Sequence, residues 1–209
     1  PCRPSRSLPP DLSQHATTLF EQYRLSKDVH QLQVPAGSPV IGKTRETIGL
    51  AKRGDLTFVT FRDAKGSVTR GDAIREGDLL IVRGPADQAA DVAQEFNLDL
   101  CDDKQDVEIA DQLFNRDDGI AEVLIPPRSA LIGQRFFPGM VTESGDLIVL
   151  ALQRQGVDLT PGDALAAGDT MLLQGTWKAL DTRLDQAEVL VVNSPDLMRR
   201  QAVPMGRGA

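Results

Sequence analysis

The segment 37–44 (GSPVIGKT) has the residue types and spacing of a phosphate-binding loop. In such a loop, successive backbone amides point at the phosphate and the lysine reaches its outer oxygens. Pro39 has no amide hydrogen, and the bulky Val40 and Ile41 stand where the chain must turn tightly. We therefore predict that Lys43 is not a nucleotide ligand, and that its amine lies in solvent near the start of a helix.

Other catalytic side chains are sparse. The two histidines, His15 and His30, do not stand beside a plausible nucleophile, so a Ser-His-Asp or Cys-His site has no support. Asp55, Asp72 and Asp78 each follow a glycine, where an aspartate at a turn accepts hydrogen bonds from nearby backbone amides. We assign no catalytic residue and predict that the chain is not an enzyme.

Composition argues against several partners. The net charge is −7, whereas nucleic-acid binding needs a basic surface. The acidic segment 99–111 lacks the loop glycine and final glutamate of an EF-hand, so it is predicted to be a solvated linker rather than a calcium site. Cys2 and Cys101 are too few for a disulfide framework and indicate a reducing compartment. We expect no metal, no cofactor and no nucleic acid.

An internal repeat organises the chain. Gly54 recurs as Gly145, 91 residues later, and the same shift aligns the two halves without a gap. The turn Gly77-Asp78 recurs as Gly168-Asp169, and between such points the apolar positions match in kind. The repeat predicts two similar units, each with the same succession of elements.

Local signals predict those elements. A strand ends at Val34 in the first half and at Ile125 in the second, each followed by a proline. A helix is expected around 41–52, and Pro138 should interrupt its counterpart. Further strands are predicted at 56–61 and 79–82, and at 147–152 and 171–173. Helices should follow Pro85 and the cap residue Thr176.

The predicted fold class is α+β, with two tandem small domains related by an approximate two-fold, each an antiparallel sheet with packed helices. An amphipathic helix precedes them, with Leu12, Ala16, Leu19, Phe20 and Tyr23 on one stripe. The predicted divisions are 1–28 (linker and helix), 29–100 (first domain), 101–119 (acidic connector), 120–193 (second domain) and 194–209 (basic tail).

Both halves resemble the TrkA C-terminal domain, also called the C-terminal half of the RCK domain. The resemblance rests on the Pro, Ser, Ile, Gly order of 34–43, the Gly-Asp turn before 79–82 and Gly84 leading into a helix, and it covers most of 29–193. A tandem pair is similar to the large cytosolic loop of SLC13-type, or divalent anion:sodium symporter-type, permeases. No G-x-G-x-x-G follows a predicted strand, so the resemblance does not imply NAD binding.

The resemblance implies a regulatory, ligand-binding and dimerising module of a membrane transporter, on the cytoplasmic face of the inner membrane. Its partners would be its own transmembrane domain and a second copy. Arg3, Arg6, Arg199 and Arg200 are then expected where the chain meets membrane helices, because cytoplasmic flanks retain positive charge. The alternatives are a regulatory loop of an aspartate:alanine exchanger-type or potassium transporter, and a phosphate-loop nucleotide-binding enzyme.

The resemblance also implies a small ligand, such as a nucleotide or cyclic dinucleotide, where the strands of the two domains face each other. An anion there needs positive or polar side chains at strand ends. The candidates are Lys43 and Arg62 in the first half, and Gln134 and Arg154 in the second. Arg62 and Arg154 are 92 residues apart, one more than the repeat, and the alternative is that both are solvated strand-end arginines.

Overall fold

The computed structural model of the chain describes residues 17–25, 28–49, 56–64, 68–69, 73–101, 118–160, 162–184 and 188–192. These residues form two five-stranded sheets in which neighbouring strands are antiparallel. The predicted α+β class with antiparallel sheets is confirmed. The division into two domains, and a two-fold relation between them, stay predictions.

The first sheet has the strand order β3-β2-β4-β1-β5. Its strands are β1 (Val29–Gln33), β2 (Thr57–Arg62), β3 (Val68–Thr69), β4 (Leu79–Arg83) and β5 (Asp99–Cys101). The second sheet has the order β8-β7-β9-β6-β10. Its strands are β6 (Asp118–Leu124), β7 (Leu147–Arg154), β8 (Val157–Asp158), β9 (Thr170–Thr176) and β10 (Leu190–Val191).

Three of the four strand pairings in each sheet share their register at an offset of 91 residues, and the edge hairpins β2–β3 and β7–β8 differ. Val29 pairs with Arg83 in the first sheet, and Ile120 pairs with Gln174 in the second. A β-bulge interrupts β2 between Phe58 and Thr60, and the corresponding bulge in β7 lies between Val149 and Ala151. The sequence repeat is therefore also a repeat of strand order, of the register of the inner pairings and of bulge position.

Four stretches of helix accompany the sheets in the described residues. The first, α1, includes residues 17–22. The others are α2 (Arg45–Ile48), α3 (Ala86–Glu95) and α4 (Trp177–Leu184). The predicted helices after Pro85 and Thr176 are confirmed, and the Thr176 hydroxyl oxygen accepts the Ala179 amide at 3.1 Å as an N-terminal cap.

The helix predicted at 41–52 is wrong in its extent, because only Arg45–Ile48 is helical and residues 50–52 lie outside the described part. Gly42 has a φ of +82°, which lies outside the helical region, so the helix cannot begin at 41. In the second half, the chain around Pro138 forms turns instead of a helix, as predicted.

The core lies in three layers. The outer face of the first sheet packs on Ala89 and Val92 of α3 and on Phe96, its C-cap, and that of the second packs on Leu180 and Leu184 of α4. The inner faces of both sheets share one apolar cluster with α1, which we call the inter-sheet cluster. Its buried members are Leu19, Phe20, Tyr23, Leu25, Val59, Val68, Ile81, Ile120, Ile148, Leu150, Ala151 and Leu172.

The predicted amphipathic helix is confirmed over 17–22, while Leu12 and Ala16 lie outside the described residues. The Arg24 amide bonds to the Glu21 carbonyl and the Leu25 amide to the Phe20 carbonyl, which is the Schellman arrangement at a helix end. Arg24 takes the left-handed position, with a φ of +56°, and Leu25 and Phe20 make up the usual apolar contact. Residues 102–117 of the acidic connector and the tail 194–209 also lie outside the described part.

Candidate functional site

The segment 37–44 uses its backbone amides inside its own turns. The amides of Ile41 and Lys43 donate to the carbonyls of Ser38 and Val40, and the Gly42 amide donates to Ile74. The Ser38 hydroxyl donates to the carbonyl of Phe96, at the end of α3, at 2.7 Å. These donors therefore bond within the turn or to residues beside it, and they do not point at a phosphate.

The equivalent turn of the second half shows what Pro39 removes. There the Ala130 amide donates to the carboxylate of Glu188 at 2.6 Å, and the Ser129 hydroxyl lies 3.4 Å from the same oxygen. Ala130 occupies the position of Pro39, since the two are 91 residues apart. The first turn thus lacks the donor with which the second turn holds a carboxylate.

Lys43 is exposed and lies two residues before α2, where the sequence prediction put it. Gln134 donates from its side-chain amide to the Ala130 carbonyl at 3.1 Å, within its own turn. Their backbone carbonyls accept the amides of Ile74 and Leu165, which belong to the two outer apolar cores and not to the inter-sheet cluster. The structure therefore does not bring them to the surface where a ligand was predicted.

Arg154 forms a two-pronged ion pair with Asp169. Its Nε and one terminal nitrogen each lie 2.8 Å from a carboxylate oxygen, and the same nitrogen donates to the Ala164 carbonyl at 2.9 Å. Burial would raise the pKa of Asp169, but the hydrogen bonds from Arg154 and from the Ala166 amide outweigh it and hold that pKa below its ordinary value. Arg154 thus fastens the turn before β9.

Arg62 lies on the inner face of the first sheet, as its equivalent Gln153 does in the second. It is buried, being 6% exposed. Burial lowers the pKa of its guanidinium, and the charges of Asp63 and Asp118 oppose that shift. At an offset of 91 the residue equivalent to Arg62 is Gln153, and Arg154 is the next residue along the strand. Because successive side chains of a strand point to opposite faces, the two arginines do not form a common site. The reading of Arg62 as a solvated strand-end arginine is wrong.

The polar group that does join the sheets surrounds the last turn of α1, and sequence reasoning missed it. Glu122 of β6 is buried, and one of its carboxylate oxygens accepts the Tyr23 hydroxyl at 2.8 Å and the Gln22 side-chain amide at 2.9 Å. Burial raises the pKa of the Tyr23 phenol, so the hydroxyl keeps the proton that it donates.

Arg83 of β4 completes this group from the first sheet. One terminal nitrogen donates to the carbonyls of Tyr23 and Arg24, at 3.0 and 3.1 Å, and the other lies 2.9 Å from a carboxylate oxygen of Asp158. Gln153 donates to Asp158 at 3.0 Å and lies 3.4 Å from the Gln22 carbonyl. We call this set of five side chains the α1 clasp: Tyr23, Arg83, Glu122, Gln153 and Asp158.

A two-residue hairpin positions the Asp158 end of the clasp. Gln155 and Gly156 both have positive φ, +52° and +78°, as a type I′ turn requires. This turn pairs Gln153 with Asp158 across the two strands. The carboxylate is therefore held on the inner face by the strand register.

Comparison with known proteins finds sequence similarity to a transporter. No protein-family profile matches it. It is similar to the uncharacterized transporter YfbS of Escherichia coli (strain K12), with 29% identity over 195 residues. The match covers 85% of this chain, which spans 31% of the length of YfbS. No solved structure matches. The sequence is thus distantly related to a transporter.

Two further observations concern the described part of the chain. None of its helices is long and apolar enough to cross a membrane. No group of three or more His, Cys, Asp or Glu side chains within it could hold a metal ion. The α1 clasp joins α1 to strands of both sheets, β4 in the first and β6, β7 and β8 in the second.

One weak signal in the sequence pointed to the clasp. Glu122 is the charged residue of an otherwise apolar run, Ile120 to Ile125, at a position where the period of two places the side chain on the same face as Ile120. Its equivalent in the first half is Gln31. A buried carboxylate needs hydrogen-bond donors, but nothing in the sequence identifies Tyr23, about a hundred residues away, as one of them.

Proposed function

We propose that the chain is a regulatory module of a membrane transporter, built from two tandem TrkA C-terminal-like domains. The observation that carries this proposal is the similarity to YfbS over most of the chain. In this reading, the module lies on the cytoplasmic face of the inner membrane, acts on its own transmembrane domain and pairs with a second copy. It has no catalytic role.

The fold supports the tandem part of the proposal. Strand order, bulge position and the register of all pairings except the edge hairpin repeat at an offset of 91 residues, and each sheet carries a helix on its outer face. Related units of one chain commonly pair through equivalent surfaces, and here the inner faces share one cluster. The shared cluster gives the two units a common surface through which a displacement of one can act on the other.

Membrane fractionation tests this proposal. An antibody raised against the 209-residue chain should detect, in the source cells, a polypeptide well above 22.7 kDa that stays in the membrane pellet after a carbonate wash. A known peripheral protein, released by the same wash, is the control. Detection only of a 22.7 kDa polypeptide in the wash would contradict a transporter module.

Calorimetry tests which nucleotides bind. Because the 37–44 turn uses its amides internally and lacks one at Pro39, we expect ATP to give no binding heat with the chain or with Lys43→Ala. ATP binding that disappears in Lys43→Ala would contradict this expectation. A cyclic dinucleotide, which carries phosphates but no triphosphate chain, is titrated in the same way for comparison with ATP.

A further inference from the structure

Helix α1 lies in the middle of the inter-sheet cluster. Leu19, Phe20 and Tyr23 are each at most 3% exposed, and the cluster they enter contains residues from both sheets. Each sheet also has a separate apolar core with its own outer helix, and neither of those cores contains a residue of α1. Both sheets therefore keep most of their buried apolar contacts whether or not α1 is in place.

The α1 clasp contacts the C-terminal end of α1. Its side chains bond to Gln22, the last helical residue described, and to Tyr23 and Arg24, which follow it. Arg83 comes from the first sheet, whereas Glu122 and Asp158 come from the second. A single set of side chains thus holds α1 to both sheets at once.

From these two observations we infer that α1 is a withdrawable wedge. It leaves the inter-sheet cluster as a unit while both sheets stay folded, and its docking sets how the two sheets sit against each other. The inference rests on the proposed function, because regulation needs an element whose position is coupled to the rest of the module. Opening of one cooperative unit below the global unfolding free energy is the physical behaviour required.

Hydrogen exchange on the whole 209-residue chain tests the wedge. The informative amides are those of Tyr23, Arg24 and Leu25, whose acceptors all lie in α1. A short helix without its packing is marginal in water, so these hydrogen bonds open when α1 leaves the cluster. The variant is Arg83→Gln, which installs the residue that the second sheet has at the equivalent position, Gln174. We expect the three amides to exchange about 10- to 100-fold faster, while those of β7 and β9 keep their rates.

Arg183→Gln is the matched control. Arg183 pairs with Asp146 in a comparable arginine–carboxylate contact, but the pair joins α4 to the turn before β7 and has no part in the α1 clasp. This variant should leave the exchange of the α1 amides unchanged. A rise equal to that in Arg83→Gln would assign the effect to general loss of stability and overturn the inference.

Tyr23→Phe gives a second reading, because it removes only the hydroxyl that Glu122 accepts. It should accelerate the same three amides and increase tryptic cleavage after Arg24, whose carbonyl Arg83 holds. Unchanged α1 exchange in both variants, or equal exchange of α1 and the strands in every protein, would overturn the wedge. Fractionation bears only on the transporter proposal, so either idea can fail without the other.

Discussion

Gly139→Ala is expected to destabilise the protein by about 2–5 kcal/mol in urea denaturation. Gly139 has a φ of +86°, which costs an alanine about 1–2 kcal/mol. A methyl group there would also overlap Cδ1 of Phe58 and lie 2.8 Å from its Cε1. The ring cannot move aside freely, because it is 5% exposed and packs against Phe61 at a centroid distance of 4.7 Å.

Gly133→Ala is the matched control for this prediction. Gly133 has the same φ of +86°, but a methyl group there would meet no atom within 4 Å. It should cost only the backbone part, about 1–2 kcal/mol. Equal losses in the two variants would show that the approach of Gly139 to Phe58 does not constrain the fold.

Asp169→Asn should cost about 1–3 kcal/mol, whereas Asp78→Asn, at the equivalent position, should change stability by less than about 1 kcal/mol. Both carboxylate oxygens of Asp169 accept hydrogen bonds, so an amide nitrogen must face a donor. Asp78 accepts the Arg75 amide through one oxygen, which an asparagine oxygen can replace. Solvent around the half-exposed Arg154 weakens the ion pair with Asp169, which favours a loss near about 1 kcal/mol for Asp169→Asn.

The two aspartates should also respond oppositely to pH. Burial raises the pKa of Asp78, and the Arg75 amide opposes that rise, whereas the pKa of Asp169 is held low. A carboxylate whose pKa is lowered by folding stabilises the folded state at pH values above its unfolded pKa of about 3.9. That contribution is lost as the pH falls through the folded-state pKa. A raised pKa has the reverse sign, so protonation of Asp78 favours the folded state.

Denaturation of both variants between pH 3 and pH 7 checks these signs. Asp169→Asn should lose less stability than the wild type on acidification, because the linked proton uptake is gone. The unfolding free energy of Asp78→Asn relative to that of the wild type should be highest at neutral pH, where the native carboxylate is ionised. Parallel pH profiles for the two variants would contradict the assignment.

Strand positions were predictable because they depend on local pattern. The apolar runs after Gly77-Asp78 and Gly168-Asp169 gave β4 and β9, and the repeat transferred each assignment to the other half. Proline placement likewise predicted the start of α3 and the lack of a helix around Pro138. These features involve residues close in sequence, or positions fixed by the shift of 91.

The candidate site was less predictable, because face and distance decide it. A one-residue difference in alignment separates Arg154, paired with Asp169, from Gln153 and Arg62 on the inner faces. The α1 clasp joins Tyr23 to Glu122, which are 99 positions apart. No period within one strand or helix encodes such a pair, since it depends on how the sheets meet around α1.

The bulges in β2 and β7 bear on how this chain tolerates changes in its length. At each bulge two consecutive residues, Val59 with Thr60 and Leu150 with Ala151, lie on the inner face opposite a single partner. Loss of one residue there restores strict alternation and leaves the later side chains on their original faces. The same deletion elsewhere in the strand inverts them. Each bulge is thus a point where an evolving sequence can shorten the strand and keep its core.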